Sequence, residues 1–333
     1  MKAITLERYG SPDVLRLQEI DKPVVHDDDV LVRIRAASLN PYDWHLLTGR
    51  PYIARAQFGL LKPKVNGLGA DLAGQVEAVG KNVTQFRSGD EVFGEVNGEV
   101  PGQPLLELGS CSEYVCVSED SVVPKPANLT FEQAAAVPMA AHTALQALRD
   151  RGRIEAGQRV LINGASGGVG PFAVQIAKSL GAEVTGVCST RNVDMVRSIG
   201  ADKVIDYTRE DFTRGGQRYD LMLDNVGNRS LSECRRVLDP EAIYLSSFGQ
   251  PENRWIGPVA ELAKMFVVSP FVSQKMIPLT VKRTKEALLA LKNLIEAGKV
   301  TPVIDRTYPL DEVPEAMRYL EEGHARGKIV ITV

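Results

Sequence analysis

In the first third of the chain, apolar and polar positions alternate in short runs. AITLERYG, VLRLQEI, DVLVRIRAAS, GQVEAVG, DEVFGEV and EYVCV are β-rich and separated by Gly, Pro, Asp or Ser. Runs of this length and period, so punctuated, predict an all-β unit, a small barrel with irregular loops. PYIARAQFGLLKPKVNG follows neither the strand nor the helix period. It predicts a long loop with little regular structure, of the kind that often covers a site.

At PKPANLT the texture changes. Thr130 can cap a helix through FEQAAAVPMAAHTALQAL, with Glu132 in its first turn, and Pro138 should end or kink that helix. Strands and helices then alternate: RVLIN, VGPFAVQIAKSL, EVTGVC, NVDMVRSIG, KVIDY, YDLMLDNVG, SLSECRRVL, AIYLSSFG. That rhythm predicts a parallel, doubly wound sheet with helices on both faces. KEALLALKNLIEAGKV reads as an amphipathic helix ended near Gly298. VIDRTYPL, DEVPEAMRYLEEG and KIVITV follow, the last with the alternation of a half-buried edge strand that rejoins the first unit. The predicted architecture is an α/β chain of two domains, with residues 125–270 forming the nucleotide-binding sheet and residues 1–124 plus 271–333 the β-barrel domain.

LINGASGGVG, residues 161 to 170, places four glycines between a buried-strand run and a helix. Glycine at such a turn permits positive φ and lets a ligand approach the main chain. The helix that follows offers unpaired N–H groups and a positive dipole end, which suit a pyrophosphate. Against the dinucleotide fingerprint, Ala165 to Gly170 read A-x-G-x-x-G, with alanine for the usual first glycine. The strand–turn–helix context is the one the fingerprint requires, whereas the bland alternative is a bare tight turn. A carboxylate at the end of the next strand would hold a ribose 2′-hydroxyl. This chain has Cys188-Ser189-Thr190-Arg191-Asn192, with no carboxylate before Asp194. Ser189 and Thr190 can donate to a 2′-phosphate and Arg191 can pair with its charge, which favours NADPH; the same residues can also cap the next helix. Tyr207 can pack on the adenine or reach the phosphate.

Composition narrows the classes without naming one. The chain has 333 residues, 44% hydrophobic and 24% charged, and a net charge of -3, so nothing suggests a nucleic-acid or anionic-membrane partner. The one basic cluster, Lys282, Arg283 and Lys285, reads as a solvated face. No apolar stretch is long enough for a membrane span, and MKAITLERYG has no signal-peptide core, so a cytoplasmic location is expected. Cys111, Cys116, Cys188 and Cys234 lack zinc-finger spacing and read as reduced thiols.

AASLNPYDW, GADLAGQVEAVG, AAHTALQAL, NGASGGVG, GADKVIDY and LDNVG, in this order behind a β-rich start, resemble the zinc-free quinone oxidoreductase branch of the medium-chain dehydrogenase/reductase superfamily, the branch of ζ-crystallin. EEGHARGKIVITV resembles the ending of the reticulon-interacting mitochondrial oxidoreductases and the chloroplast alkenal reductases. The resemblance covers essentially the whole chain. It implies a GroES-like catalytic domain, a Rossmann domain, NADPH, and hydride transfer to a quinone or an α,β-unsaturated carbonyl, a small electron-poor acceptor. Members of the family are often homodimers.

The resemblance also locates departures. Where zinc alcohol dehydrogenases carry an early zinc-binding cysteine, this chain has Asn40; where they have Gly-His-Glu, it has Gly69-Ala70-Asp71; their four-cysteine lobe is missing. Without soft or imidazole ligands a catalytic zinc is not held. Reduction of an electron-poor C=C or quinone is then easier chemistry than alcohol oxidation. By matching motif, Ser166, Gly168 and Val169 are expected at the pyrophosphate and Ser189, Arg191 and Tyr207 at the 2′-phosphate. Asn225, Ser246 and Ser247 stand at carboxyl ends of strands, where ligands bind in such sheets. Thr143 and Asn40 match residues near the nicotinamide and its ribose, and His324, Ala325 and Arg326 match C-terminal cofactor contacts. Tyr42 is the candidate proton donor, with a pocket wall as its bland alternative. Asp43 is expected to pin its loop, His45 and His142 to sit in helix or core, and Tyr52, Phe58, Phe248 and Phe271 to wall a pocket. Two other readings stay open: an enoyl-thioester reductase on the same scaffold, and an NADPH-binding protein without turnover.

Overall fold

The structure is a computed structural model, and it describes residues 1–96, 109–247 and 259–333. The chain divides into two compact units: residues 1–142, 283–298 and 302–333, and residues 143–282 with 299–301. The first unit therefore keeps residues 125–142, because the helix Phe131–Ala135 packs on strands Asp29–Leu39 and Asp71–Val79. The second keeps residues 271–282, because Lys275–Pro278 adds a strand to its sheet. Both boundaries lie later in the sequence than the change of texture suggested.

The first unit is built on a seven-stranded sheet ordered Ile304–Pro309, Lys328–Thr332, Asp29–Leu39, Asp71–Val79, Glu91–Glu95, Val122–Pro124, with Tyr114–Ser118 also paired to Asp29–Leu39. Asp29–Leu39 is the hub. It pairs antiparallel with three strands, and its register against Asp71–Val79 shifts twice. Such irregularities bend a strand and let a sheet curl. Val32, Ile34, Leu72, Val92 and Val115 fill one core, and Leu39, Leu47, Met317 and Ile329 belong to another. KIVITV is not an edge: Lys328–Thr332 lies between Ile304–Pro309 and Asp29–Leu39, and residues 328–331 are buried. The expected loop after residue 50 contains a short 3-10 turn, Tyr52–Ala54, and a helical turn, Arg55–Phe58. Pro138 acts as expected: one helix ends at Ala135 and the next, Pro138–Leu145, opens on the proline.

The second unit carries a six-stranded, all-parallel sheet in the order Lys203–Asp206, Glu183–Cys188, Arg159–Asn163, Tyr219–Asp224, Leu238–Ser246, Lys275–Pro278. Numbered by sequence this is 3-2-1-4-5-6, the order of the dinucleotide-binding doubly wound fold, in which ligands meet the carboxyl ends of the strands. All four cysteines are buried and free, as the spacing implied.

Candidate active site

The glycine loop resolves into three separate uses of bare backbone. Strand Arg159–Asn163 ends at Gly164, which takes φ +82° and makes the turn. The tight turn thus falls one residue before the fingerprint's first position, which is why that position tolerates Ala165. The Ala165 methyl is buried, and the absent side chain of Gly186 on the neighbouring strand leaves it room. Around Gly167 the loop is open: a Cβ there would meet nothing nearer than the Gly164 oxygen at 3.8 Å. At Gly170 the reverse holds, since a Cβ would lie 2.2 Å from the Gly164 oxygen and 2.4 Å from the Ala165 carbonyl carbon. The helix Gly170–Ser179 therefore starts hard against the strand end, and no side chain caps it. Ser166, Gly168 and Val169 flank this uncapped start.

Asn192 ties the loop to the end of the next strand: its Nδ2 donates to Ser166 Oγ at 2.9 Å and to Ser189 Oγ at 3.1 Å. Arg191 is exposed, and Tyr207 is 47% exposed with its main-chain N–H bonded to Cys188. The Thr190 hydroxyl, expected at the phosphate, donates instead to Asp206 Oδ2 at 2.6 Å. That bond is the largest cause holding the Asp206 carboxyl below its ordinary range. Asp206 is a carboxylate that the linear reading missed, because it comes from the following strand.

At the carboxyl ends of the central strands, Asp224 accepts from Asn163 Nδ2 (2.9 Å), from the Val226 and Gly227 amides (3.1 and 2.9 Å) and from the Tyr244 hydroxyl (2.8 Å). Asn225 stands beside it. Ser247 Oγ donates to Asn225 Oδ1 at 3.0 Å, and Asn225 Nδ2 is buried with no partner. A buried amide donor without an acceptor is costly, about 1–3 kcal/mol. An acceptor supplied by a ligand removes that penalty. Ser246 is buried in the same group, and Thr143 is half-buried on the helix Pro138–Leu145. The open loop, the uncapped helix and the orphan amide fit a dinucleotide.

In the first unit, strand Asp29–Leu39 runs into Asn40, the N-cap of helix Pro41–Thr48. Asp43 pins this entry as expected. Its two oxygens accept the Asn40 and Gly69 amides, each at 2.8 Å. Burial pushes Asp43 up to about 6, against the two amide bonds. Gly69 takes φ +94°, and a Cβ there would strike Ser110 Oγ and the Cys111 amide. Tyr42 is half-buried, its ring edge-on to Phe58 at 5.7 Å, with the Arg283 guanidinium 5.4 Å over its face. Asn40 is only 3% exposed: its Nδ2 donates to Asp71 Oδ2 at 2.9 Å, and its Oδ1 accepts from Lys328 Nζ at 2.5 Å.

Two expectations change here, the solvated basic face and the pocket-wall phenylalanines. Arg283 and Lys285 are not a solvated face: Arg283 Nε stands 2.7 Å from buried Glu95, and Lys285 lies against Glu119, Asp120 and the Phe86 ring. His142 is buried on its helix as expected, with its Nδ1 2.6 Å from Glu95 Oε1. Phe271 is 84% exposed and walls nothing, Phe58 is in the core, and Phe248 lies outside the described residues. His324 and Arg326 are exposed on the turn before the last strand, Ala325 is half-buried there, and the Arg326 amide donates to Asp305. Asn40, Tyr42 and residues 324–326 thus belong to the first unit, and the other candidates to the second.

Residues 26–127 match the alcohol dehydrogenase GroES-like domain, and residues 199–331 match the family described as zinc-binding dehydrogenase. The mouse mitochondrial NAD(P)H oxidoreductase RTN4IP1 is 35% identical over 100% of this chain and 89% of its own length. The chain belongs to the medium-chain dehydrogenase/reductase superfamily. A second relative in that superfamily, the chloroplastic NADPH-dependent alkenal/one oxidoreductase of Arabidopsis thaliana, is 33% identical over 99% of this chain and 79% of its own. The quinone oxidoreductase of Coxiella burnetii superposes with a TM-score of 0.83 at 31% identity, covering 100% of this chain and 99% of that one. The chain is accordingly an oxidoreductase of the quinone oxidoreductase-like group.

The family description includes zinc, and the residues do not fit it. At the matching positions stand Asn40, Ala70 and Asp71. The two side chains among them that offer oxygen, Asn40 and Asp71, both bind the Lys328 ammonium. Lys328 itself was missed from sequence; the signal was a lysine opening a strand that is otherwise apolar or β-branched.

Proposed function

We propose that this chain is a zinc-independent, NADPH-dependent reductase that delivers hydride to a quinone or an α,β-unsaturated carbonyl. The observation that carries the cofactor half is the open, uncapped glycine loop with the orphan Asn225 amide at the same sheet edge. The choice of NADPH over NADH rests on Arg191 and on the lack of a carboxylate between Ser189 and Asn192. The acceptor class is supported by the relatives, which are named for quinones and for alkenals and alkenones.

When bound, the nicotinamide supplies hydride. The protein binds, orients and moves one proton. Ser166, Gly168 and Val169 hold the pyrophosphate, and Ser189, Arg191 and Tyr207 hold the 2′-phosphate end. Thr143, Asn225, Ser246, Ser247 and residues 324–326 complete the cofactor contacts. Asn40 acts from within the protein, because its amide is bonded at both ends to Lys328 and Asp71. Tyr42 presents a phenol that donates to, or orients, the oxygen on which charge develops. Phe58 and Arg283 fix its ring.

NADPH oxidation against quinones, enones and enals tests the reading, with saturated primary alcohols and NADP⁺ as the contrast. Faster alcohol oxidation than enone reduction would reverse it, and NADPH binding without any turnover would make the chain a binding protein. A homodimer and a cytoplasmic location belong to the same proposal. Among the described residues no helix is long and apolar enough to cross a membrane. Light scattering after size exclusion reads the oligomer.

A further inference from the structure

A buried charge lies at the foot of helix Pro41–Thr48, where the reductase mechanism gives it no task. Lys328 is 2% exposed, and its ammonium bonds Asn40 Oδ1 at 2.5 Å, Asp71 Oδ2 at 3.2 Å and the Leu39 carbonyl at 3.3 Å. Asp71 is fully buried. Its Oδ2 also accepts from Ser38 Oγ at 2.7 Å and Asn40 Nδ2 at 2.9 Å, and its Oδ1 accepts the Met139 amide at 2.9 Å. The Asn40 amide is thus held at both ends by groups of opposite polarity. Turning it over would set its NH₂ against an ammonium and its oxygen against a carboxylate, so one orientation is enforced.

We propose that Lys328 is a positioning residue of the reductive site: a built-in ammonium that does the anchoring part of a metal ion's work, fixing Asn40 and through it the start of the helix that carries Tyr42. The same two oxygens that would face a metal face the ammonium instead. An ammonium needs only oxygen acceptors around it, which Asn40, Asp71 and the Leu39 carbonyl supply, and neither a thiolate nor an imidazole. The hold passes directly to Tyr42. Asn40 is the N-cap residue of the helix, Asp43 accepts from its main-chain N–H, and Tyr42 lies between them. Burying a charge pair is a poor route to stability alone, because a well-packed apolar pair often does as well. A pair that sets one geometry has another use.

The inference rests on the reductase reading for its kinetic half only. The test uses the full chain with Lys328→Gln, Lys328→Met and the double variant Lys328→Met with Asp71→Asn, which leaves no buried carboxylate unpaired. Three readouts are taken: hydrogen exchange of residues 41–48 against strands Arg159–Asn163 and Tyr219–Asp224, NADPH affinity by fluorescence, and kcat with a quinone. Lys328→Gln keeps a donor and loses the charge. It should speed exchange in residues 41–48 at least about tenfold while the two strands stay protected. It should lower kcat at least about tenfold with the NADPH dissociation constant within about threefold, the signature of lost positioning rather than lost binding. The double variant should regain global stability but not kcat. Wild-type exchange and kcat in Lys328→Gln would overturn the proposal. So would loss of protection throughout the chain in all three variants, which would make Lys328 an ordinary core residue. If the wild type reduces no acceptor, the reductase reading fails, and the exchange measurement alone decides the anchoring.

Discussion

Alanine at Gly167 and alanine at Gly170 should have opposite consequences, although the two glycines lie three residues apart in one loop. At Gly170 the added methyl would sit 2.2 to 2.6 Å from Gly164 and Ala165 main-chain atoms. Contact between such atoms is comfortable only near 3.5 Å, so the overlap is about 1 Å against backbone that has nowhere to go. Overpacking of this kind costs roughly 1–3 kcal/mol, and the strand-to-helix joint must shift to take it. At Gly167 the nearest atom is 3.8 Å away and φ is not in the left-handed region, so the protein alone accepts the methyl. Fewer unfolded conformations should then stabilise Gly167→Ala by roughly 0.4–1 kcal/mol. The same methyl stands where a pyrophosphate would approach the main chain. Losing one charge-assisted bond there is worth about 1.5–3 kcal/mol, or about one to two decades in affinity. Denaturation without cofactor should therefore rank Gly167→Ala at or above wild type and Gly170→Ala below both. Fluorescence titration should show NADPH weakened at least about tenfold by Gly167→Ala. Unchanged NADPH affinity in a folded Gly167→Ala protein would refute the loop as the phosphate cradle.

Arg191→Glu should weaken NADPH by at least about one to two decades and NADH far less, because repulsion replaces a charge-assisted pair; equal shifts in the two titrations would move the specificity to Tyr207 or Arg326. Tyr42→Phe should lower kcat for enones roughly 10²-fold if the phenol transfers the proton, with NADPH affinity unchanged; an unaltered rate would make it a wall. Elemental analysis of purified protein should find no stoichiometric zinc, and activity should survive a chelator, because Lys328 holds the oxygens a metal would need. Burial raises the Asp43 carboxyl to about 6 from an ordinary value of 3.8. Its favourable contribution is complete below about pH 4 and lost as pH rises through about 6, an effect of about 2–3 kcal/mol. The unfolding free energy of wild type relative to Asp43→Asn should fall across that window and be flat above it, and a flat difference throughout would reject the shift.

What the chain disclosed in advance, and what it concealed, follows from the distance over which each feature is made. The strand–helix alternation and the glycine loop are local, and RVLIN-GASGGVG-PFAVQIAKSL shows its turn, its open stretch and its helix start within one glance. Thr130 and Pro138 are likewise local and behave as their chemistry requires. The Lys328–Asn40 bond joins residues 288 apart, and His142–Glu95 joins residues 47 apart. No periodicity carries such pairings. KIVITV was misjudged for the same reason: alternation predicts one wet face, but partners on both sides and packing above and below bury it. Thr190 looked available because its partner, Asp206, arrives on another strand.

The interior position of Lys328–Thr332 also sets an order of assembly. The parallel sheet of residues 143–282 draws all its strands from one continuous stretch, so it can close while the rest of the polypeptide is still being made. The barrel's hub strand, Asp29–Leu39, emerges among the first residues yet lacks one neighbour until residues 328–332 have appeared. Throughout that interval its hydrogen-bonding groups opposite Ile329–Thr332 are unpaired, a template for the wrong strand. Until then the half-built barrel keeps that template open, and Lys328–Thr332 works as a bolt slid home after the door is hung.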